Sequence, residues 1–68
     1  MKINDFDNDT LITLARIAVI RSIIEDLYDD IDMLEYLDNA EATLYITTAD
    51  DRLQELRDYI VKEANKNE

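Results

Sequence analysis

Carboxylates are the side chains of this 68-residue chain that are most capable of chemistry. Two adjacent acids, Asp50 and Asp51, precede an Arg-Leu-x-Glu-Leu segment, and a denser group lies between Asp26 and Glu35. Paired carboxylates can act as general acid and base, and a cluster of them can supply the oxygen ligands that Ca²⁺ prefers. Each of these functions needs further residues.

Neither an enzyme nor a metal site is predicted. The chain has no His and no Cys, so the commonest general base and the most reactive nucleophile are both missing. An EF-hand loop needs a Gly at its sharp turn, but the chain has none, and Leu27, Ile31 and Leu34 keep helical spacing through the acidic group. We therefore expect a non-enzymatic protein that binds no cofactor and no metal.

The distribution of charge predicts a contact surface for a basic protein. Seventeen acids and seven Lys or Arg residues give a formal net charge of -10, which argues against direct binding of nucleic acid because counterion release requires cations. The segment from Ser22 to Asp51 contains no base. A face that only keeps a protein in solution usually mixes both signs, whereas this segment accepts like-charge repulsion one turn apart, as at Glu25 and Asp29. The acids of the segment are Glu25, Asp26, Asp29, Asp30, Asp32, Glu35, Asp38, Glu41, Asp50 and Asp51.

The first part of the chain is predicted to be helical. Gly and Pro are absent, which removes the usual tight β-turns. Asn8, Asp9 and Thr10 can cap a helix that opens on Leu11. Ser22-Ile23-Ile24-Glu25 has the form of a capping box, so the sequence allows one helix from about 10 to 37, or a break between about 20 and 22. The apolar face of this region is Leu14, Ile17, Ile20, Ile24, Leu27, Ile31 and Leu34.

A second capping box, Asp38-Asn39-Ala40-Glu41, predicts the start of a long C-terminal helix that ends near Ala64. Its apolar seam is Ala42, Ile46, Ala49, Leu53, Leu56 and Ile60. The predicted fold is all-α, a small three- to four-helix domain with a long C-terminal helix. The alternative is an αα-hairpin that dimerises into a four-helix bundle.

A single domain over residues 1–68 is expected, with residues 1–8 and 65–68 frayed. A chain this short has a small core, so a partner is expected to stabilise it, and a homodimer is one such partner. No membrane span or signal peptide is predicted. The absence of Cys fits a reducing compartment, and the expected location is the cytoplasm.

Two segments resemble a known family. Ala49-Asp50-x-Arg52-Leu53-x-Glu55-Leu56, preceded by Tyr45, looks like the most recognisable segment of the Hha/YmoA proteins, which are small all-helical bacterial modulators of gene expression. Ile24-Glu25-x-Leu27-Tyr28-Asp29-x-Ile31 resembles the second helix of that family, especially of its Cnu branch. With a weaker likeness at Asp9-x-Leu11-Ile12-x-Leu14, the resemblance spans about residues 9 to 56.

The resemblance implies a module that docks on the dimerisation region of the nucleoid protein H-NS, or of a relative, and modulates gene silencing. Glu25 and Asp50 match contact acids of the family, and Asp29 and Asp51 are added as their neighbours on charge alone. The resemblance also implies a break between two helices at Ser22. The chain would then be associated with the nucleoid through its partner, although it is poorer in basic residues than the family.

Two other functions stay open. The first is an acidic DNA mimic, for example one carried by a phage, which blocks a nucleic-acid-binding protein. The second is structural, a helical hairpin that forms a homodimer with the four-helix architecture of Rop, without the RNA binding of Rop because the basic face is missing.

Overall fold

The computed structural model describes residues 6–66, which form two α-helices and no strand. Helix α1 is Asn8–Asp32 and helix α2 is Asn39–Lys66. The all-α prediction is confirmed. The three- to four-helix domain is wrong for the described residues, because α1 continues through Ser22, where a break was considered, and α2 is a single helix. The number of helices is that of the αα-hairpin.

Helix α1 begins at Asn8, about two residues earlier than expected, and is continuous. Asp7 is its N-cap, and the Oδ1 atom of Asp7 accepts a hydrogen bond from the backbone N–H of Thr10 at 2.8 Å. The hydrogen bonds from Thr10 lower the pKa of the Asp7 carboxyl. The break at Ser22, which the capping-box pattern allowed and the family resemblance implied, is wrong. The residues that face α2 continue through this point, so packing along the whole helix outweighs a local capping preference.

The chain reverses over residues 33–38 without any Gly. The N–H groups of Met33, Leu34 and Leu37 each donate to the carbonyl oxygen three residues earlier, at 3.0 to 3.2 Å. Asp38 caps α2, since its Oδ1 atom accepts from the N–H of Glu41 at 3.2 Å. The predicted start of the second helix is therefore confirmed, whereas α1 ends at Asp32 rather than near residue 37 because these residues make the turn.

Three side-chain contacts establish that the helices are antiparallel. Arg21 bonds Asp50, the hydroxyls of Tyr28 and Thr47 lie 2.9 Å apart, and the amide of Asn39 donates to Asp32 at 2.8 Å. The residue numbers fall along α2 as they rise along α1. The resulting rod measures 51 × 16 × 15 Å.

The facing sides of the two helices form what we call the interhelix seam. Its members are separated alternately by four and three residues, apart from an interval of seven between Leu53 and Ile60, and this is the spacing of an antiparallel coiled coil. Among residues 6–66, Ile17 alone is buried, at 4% exposed, and the other seam members are half-buried. The seam consists of Thr10, Leu14, Ile17, Arg21, Ile24, Tyr28 and Ile31 on α1, and of Thr43, Ile46, Asp50, Leu53, Ile60 and Ala64 on α2.

Part of the predicted apolar face lies outside this seam. Ile20 and Leu27 are exposed, although the sequence pattern placed them in the core. They precede Arg21 and Tyr28 by one position, and helical spacing alone fits either row of residues. Arg21 and Tyr28 face α2 because their polar atoms find partners there. Leu34, Ala49 and Leu56 were also placed on the apolar faces by the sequence pattern, and they are exposed as well.

The ends of the chain were predicted to fray over residues 1–8 and 65–68. Residues 1–5 and 67–68 lie outside the described part, while Asn8 begins α1 and Lys66 ends α2. Within residues 6–66, neither helix combines the length and the apolarity that crossing a membrane would require.

Candidate protein-interaction surfaces

The Arg21–Asp50 ion pair lies in the seam midway along the hairpin. The guanidinium donates from Nε to Oδ1 at 2.8 Å and from Nη2 to Oδ2 at 3.2 Å, so that both carboxylate oxygens accept a bond. The two side chains are 28% and 24% exposed. The hydrogen bond from Arg21 lowers the pKa of Asp50, and partial burial opposes that shift. Asp50 was predicted to be a partner-binding acid, but its carboxylate is engaged within the chain.

Two of the other predicted binding acids lie close to the same guanidinium. The pKa of Arg21 is raised, first by its hydrogen bond with Asp50, and further by the negative charges of Asp50, Glu25 and Asp51. Glu25 belongs to α1 and Asp51 to α2, so acids from both helices converge at this level of the rod.

Asp29 extends this group along α1. Glu25, Asp29 and Asp51 each follow a seam residue by one position, and all three are exposed. In an antiparallel helix pair, positions with the same offset from the seam lie on the same side of the pair. We call these three residues the acidic face. The assignment of Glu25, Asp29, Asp50 and Asp51 to partner binding stays a prediction. Asp50 differs from the other three because it lies in the seam and its carboxylate is bonded to Arg21.

The remaining acids do not form a metal site in the part of the chain that the structure describes. Among residues 6–66, no three carboxylates are grouped so that they could hold a metal ion. Several of them bond neighbouring side chains instead: Asp32 accepts from Asn39, Glu41 from Tyr45, and Glu55 from Arg52 at 3.0 Å.

A second exposed row of residues lies on the side of the hairpin away from the acidic face. On α1 it contains Ile20, Ile23 and Leu27, which are 44%, 56% and 40% exposed. On α2 it contains Tyr45, Leu56 and Tyr59, which are 67%, 43% and 61% exposed. We call these six residues the apolar stripe.

Both halves of the apolar stripe lie on one side of the rod. Five of the six residues precede a seam residue by one, and Leu56 lies one heptad after Ala49, which precedes Asp50. Equal offsets in antiparallel helices share a side. Helical spacing did not predict this surface, because Ile20, Leu27 and Leu56 each fit the core row of their helix. The sequence did contain a signal for it. Each helix has two adjacent heptad rows of residues, and a single hairpin can bury only one of them.

A hollow of about 340 Å³ adjoins the stripe near the turn. It is open to solvent, unlike the clefts that enclose most of a small ligand. Because Tyr45 belongs both to this hollow and to the apolar stripe, we treat the hollow as the turn end of the stripe. It is lined by Tyr36, Leu37, Asp38, Glu41, Ala42 and Tyr45.

The chain thus presents two surfaces of opposite character on opposite sides of one rod. Comparison with protein-family profiles, with curated proteins and with solved structures finds no match for this chain.

Proposed function

We propose that this protein is a non-enzymatic regulatory binding module whose acidic face docks on a basic protein surface. The observation that carries this proposal is the placement of Glu25, Asp29 and Asp51 on one side of the hairpin, within a segment that has no base from Ser22 to Asp51. The two segments that resemble Hha/YmoA proteins contain these acids. The first partner to test is therefore the dimerisation domain of an H-NS-like nucleoid protein, whose gene silencing the module would modulate.

Electrostatics supports a cationic partner for this face. Glu25 and Asp29 lie one helical turn apart and repel each other, and a basic surface would relieve this repulsion on binding. The carboxylates stand on helices, so their spacing is fixed before the partner arrives. Attraction between opposite charges accelerates encounter and is screened by salt. We therefore expect an association rate that falls steeply as ionic strength rises.

The internal ion pair changes which acids are expected to contribute most. Both oxygens of Asp50 accept hydrogen bonds from Arg21, so a basic partner would have to compete for them. Asp51 is exposed and lies beside the pair. We expect Asp51 to contribute directly to binding and Asp50 to act mainly by holding α1 and α2 in place.

The proposal is tested by calorimetric titration of the full chain against a purified H-NS dimerisation domain at low and at high salt. Asp29→Lys and Asp30→Lys form a matched pair, because the two acids are adjacent and exposed but project from different sides of α1. Asp29→Lys should weaken binding about tenfold, and Asp30→Lys much less. Equal losses, or no binding at low salt, would remove the proposal for this partner.

A DNA-mimic inhibitor is the second candidate, and the same acidic face supports it. It differs in one measurable respect, since a mimic must compete with DNA for its target. If the target stays bound to DNA in a ternary complex with this protein, the mimic is excluded and a modulator remains. The structural homodimer is favoured by a separate observation, the apolar stripe, and does not compete with use of the acidic face.

A further inference from the structure

The hairpin exposes more surface than a compact chain of its mass. Its accessible surface is 5521 Å² for 8.0 kDa, whereas a compact monomer of that mass exposes about 4,500 Å². Its radius of gyration is 15.7 Å, and that of a compact domain of this length is about 11 Å. The excess of about 1,000 Å² is similar to the roughly 800 Å² that each partner buries in a stable interface.

We infer that the apolar stripe is covered by the apolar stripe of a second copy of this chain. The two hairpins form a four-helix bundle with a two-fold axis perpendicular to the helices, at the level of the Arg21–Asp50 pair. The acidic faces then lie on the two outer sides of the bundle. This inference gives the homodimer an interface and a register, and it does not rest on docking of the acidic face because it uses the opposite side of the hairpin.

The register of α1 against its copy brings opposite charges together. When Ile20 of one copy lies opposite Ile23 of the other, Arg16 lies opposite Leu27 of the second copy. Asp30 of the second copy is then one helical turn from Arg16. By symmetry this occurs twice, once on each side of the axis. Along α1, a chain with a net charge of -10 thus meets its copy through attraction between Arg16 and Asp30.

The register of α2 against its copy places small residues opposite large ones. Ala49 lies opposite Arg52 of the second copy, and Ala42 lies opposite Tyr59. Tyr45 lies opposite Leu56, so apolar contacts form on both sides of the level at which Ala49 faces Arg52. Alternation of large and small side chains across facing positions is what allows helix layers to interdigitate.

A single axis satisfies both registers. On α1 it passes between Ile20 and Ile23, an interval that contains Arg21. On α2 it passes between Ala49 and Arg52, an interval that contains Asp50. Because Nε of Arg21 lies 2.8 Å from Oδ1 of Asp50, these two intervals lie at the same level of the rod. In a two-fold dimer each helix packs antiparallel to its own copy, so its residues must complement the same residues in reverse order. A surface adapted to an unrelated protein would not have to meet this condition on both helices.

The first test is sedimentation equilibrium of the full chain, with helicity followed by circular dichroism. The wild-type chain should have twice the 8.0 kDa chain mass, and its melting temperature should rise with protein concentration. Ile23→Gln and Leu44→Gln are matched variants, since the side chains are 56% and 62% exposed on opposite sides of the hairpin. Ile23→Gln should weaken dimerisation about tenfold, and Leu44→Gln should leave it unchanged.

A helical wild-type chain that stays monomeric at high concentration would overturn the inference and leave the stripe for another protein. Equal weakening by both Gln variants would overturn the assigned face. If Ile23→Gln abolishes folding, the concentration dependence of the wild-type melting temperature still decides the outcome, because a monomer has none. Loss of binding to the H-NS domain by acidic-face variants would not affect these measurements.

The second test concerns the register, and uses the absence of native Cys. In the variant Tyr45→Cys/Leu56→Cys, the two positions of one chain are about 16 Å apart along α2, which exceeds the reach of a disulfide. Any disulfide must therefore join two copies. Oxidation should give a covalent dimer in high yield, and much less for Leu44→Cys/Leu56→Cys. Equal yields from the two variants would overturn the proposed register.

Discussion

Arg21 of α1 and Asp50 of α2 meet through two hydrogen bonds, of 2.8 and 3.2 Å, in the middle of an otherwise mostly apolar seam. A polar pair at such a position fixes the alignment of two helices, because sliding either helix by one turn would leave both charges partly buried and unpaired. The apolar stripe and the acidic face both depend on this alignment. The pair therefore links the internal packing of the hairpin to its two outer surfaces.

The ion pair is expected to specify register more than to add stability. Replacing Asp50 alone by Leu leaves the Arg21 guanidinium half-buried without its partner, so Asp50→Leu should lower the melting temperature. The double variant Arg21→Leu/Asp50→Leu should melt at or above the wild-type temperature, because well-packed apolar residues often replace such a pair without loss. Thermal denaturation followed by circular dichroism checks both, and a double variant less stable than Asp50→Leu would contradict this account.

The lowered pKa of Asp50 predicts a dependence of stability on pH. A carboxyl with a lower pKa in the folded state binds fewer protons there than in the unfolded state, so its contribution is fully present above the unfolded value, near 3.8. The contribution is lost as pH falls through the lower, folded-state pKa. The difference in urea midpoint between wild type and Asp50→Asn should therefore shrink on acidification from about pH 6 to about pH 2.

Asp51→Asn is the control for this pH experiment. It removes an adjacent carboxylate but leaves the Arg21–Asp50 hydrogen bonds in place. The difference in urea midpoint between wild type and Asp51→Asn should therefore not show the decrease on acidification that is expected for Asp50→Asn. A constant difference between wild type and Asp50→Asn over the whole range would show that the hydrogen bond does not contribute to folding stability.

Local sequence signals predicted the helices well and their packing incompletely. The absence of Gly and Pro correctly indicated helices, and the Asp38 cap correctly marked the start of the long C-terminal helix, whereas the predicted number of helices was too high. The helix break that the Ser22 capping box predicted is wrong, because the backbone amides inside a continuous helix are already hydrogen-bonded and need no cap. Whether a second copy adds helices to the hairpin is a matter of association, which helical spacing in one chain does not reveal.

The surfaces were predictable to different degrees. The family resemblance singled out Glu25 and Asp50, and charge alone added Asp29 and Asp51. Glu25, Asp29 and Asp51 lie on one side of the hairpin, whereas the carboxylate of Asp50 is bonded to Arg21 in the seam. Ile20 and Leu27 were assigned to the core because they share helical spacing with Ile24 and Ile31. Only the cross-helix partners of Arg21 and Tyr28 decide which of two adjacent rows faces α2, and those partners lie far away in the sequence.

Ile17 should be the most sensitive apolar position of the seam. It is the residue buried at 4% exposure, whereas Val19, two positions away, is 58% exposed. Ile17→Val removes one buried methyl group and should lower the free energy of unfolding by about 0.5–1.5 kcal/mol. Val19→Ala should change it by less than about 0.5 kcal/mol. Urea denaturation at a fixed protein concentration checks both, and a larger effect at Val19 would contradict the assignment of the seam.

The cap at Asp38 should control the stability of the turn. Its Oδ1 atom accepts the N–H of Glu41 at 3.2 Å, and no Gly in the turn offers an alternative geometry. Asp38→Ala removes this acceptor and should cost about 1 kcal/mol, which corresponds to a fall of about 4–8 °C in melting temperature for a domain of this size. Asp38→Asn keeps an acceptor oxygen and should retain most of the stability. If both variants melt at the same lowered temperature, the charge near the start of α2 rather than the hydrogen bond is responsible, and the capping account fails.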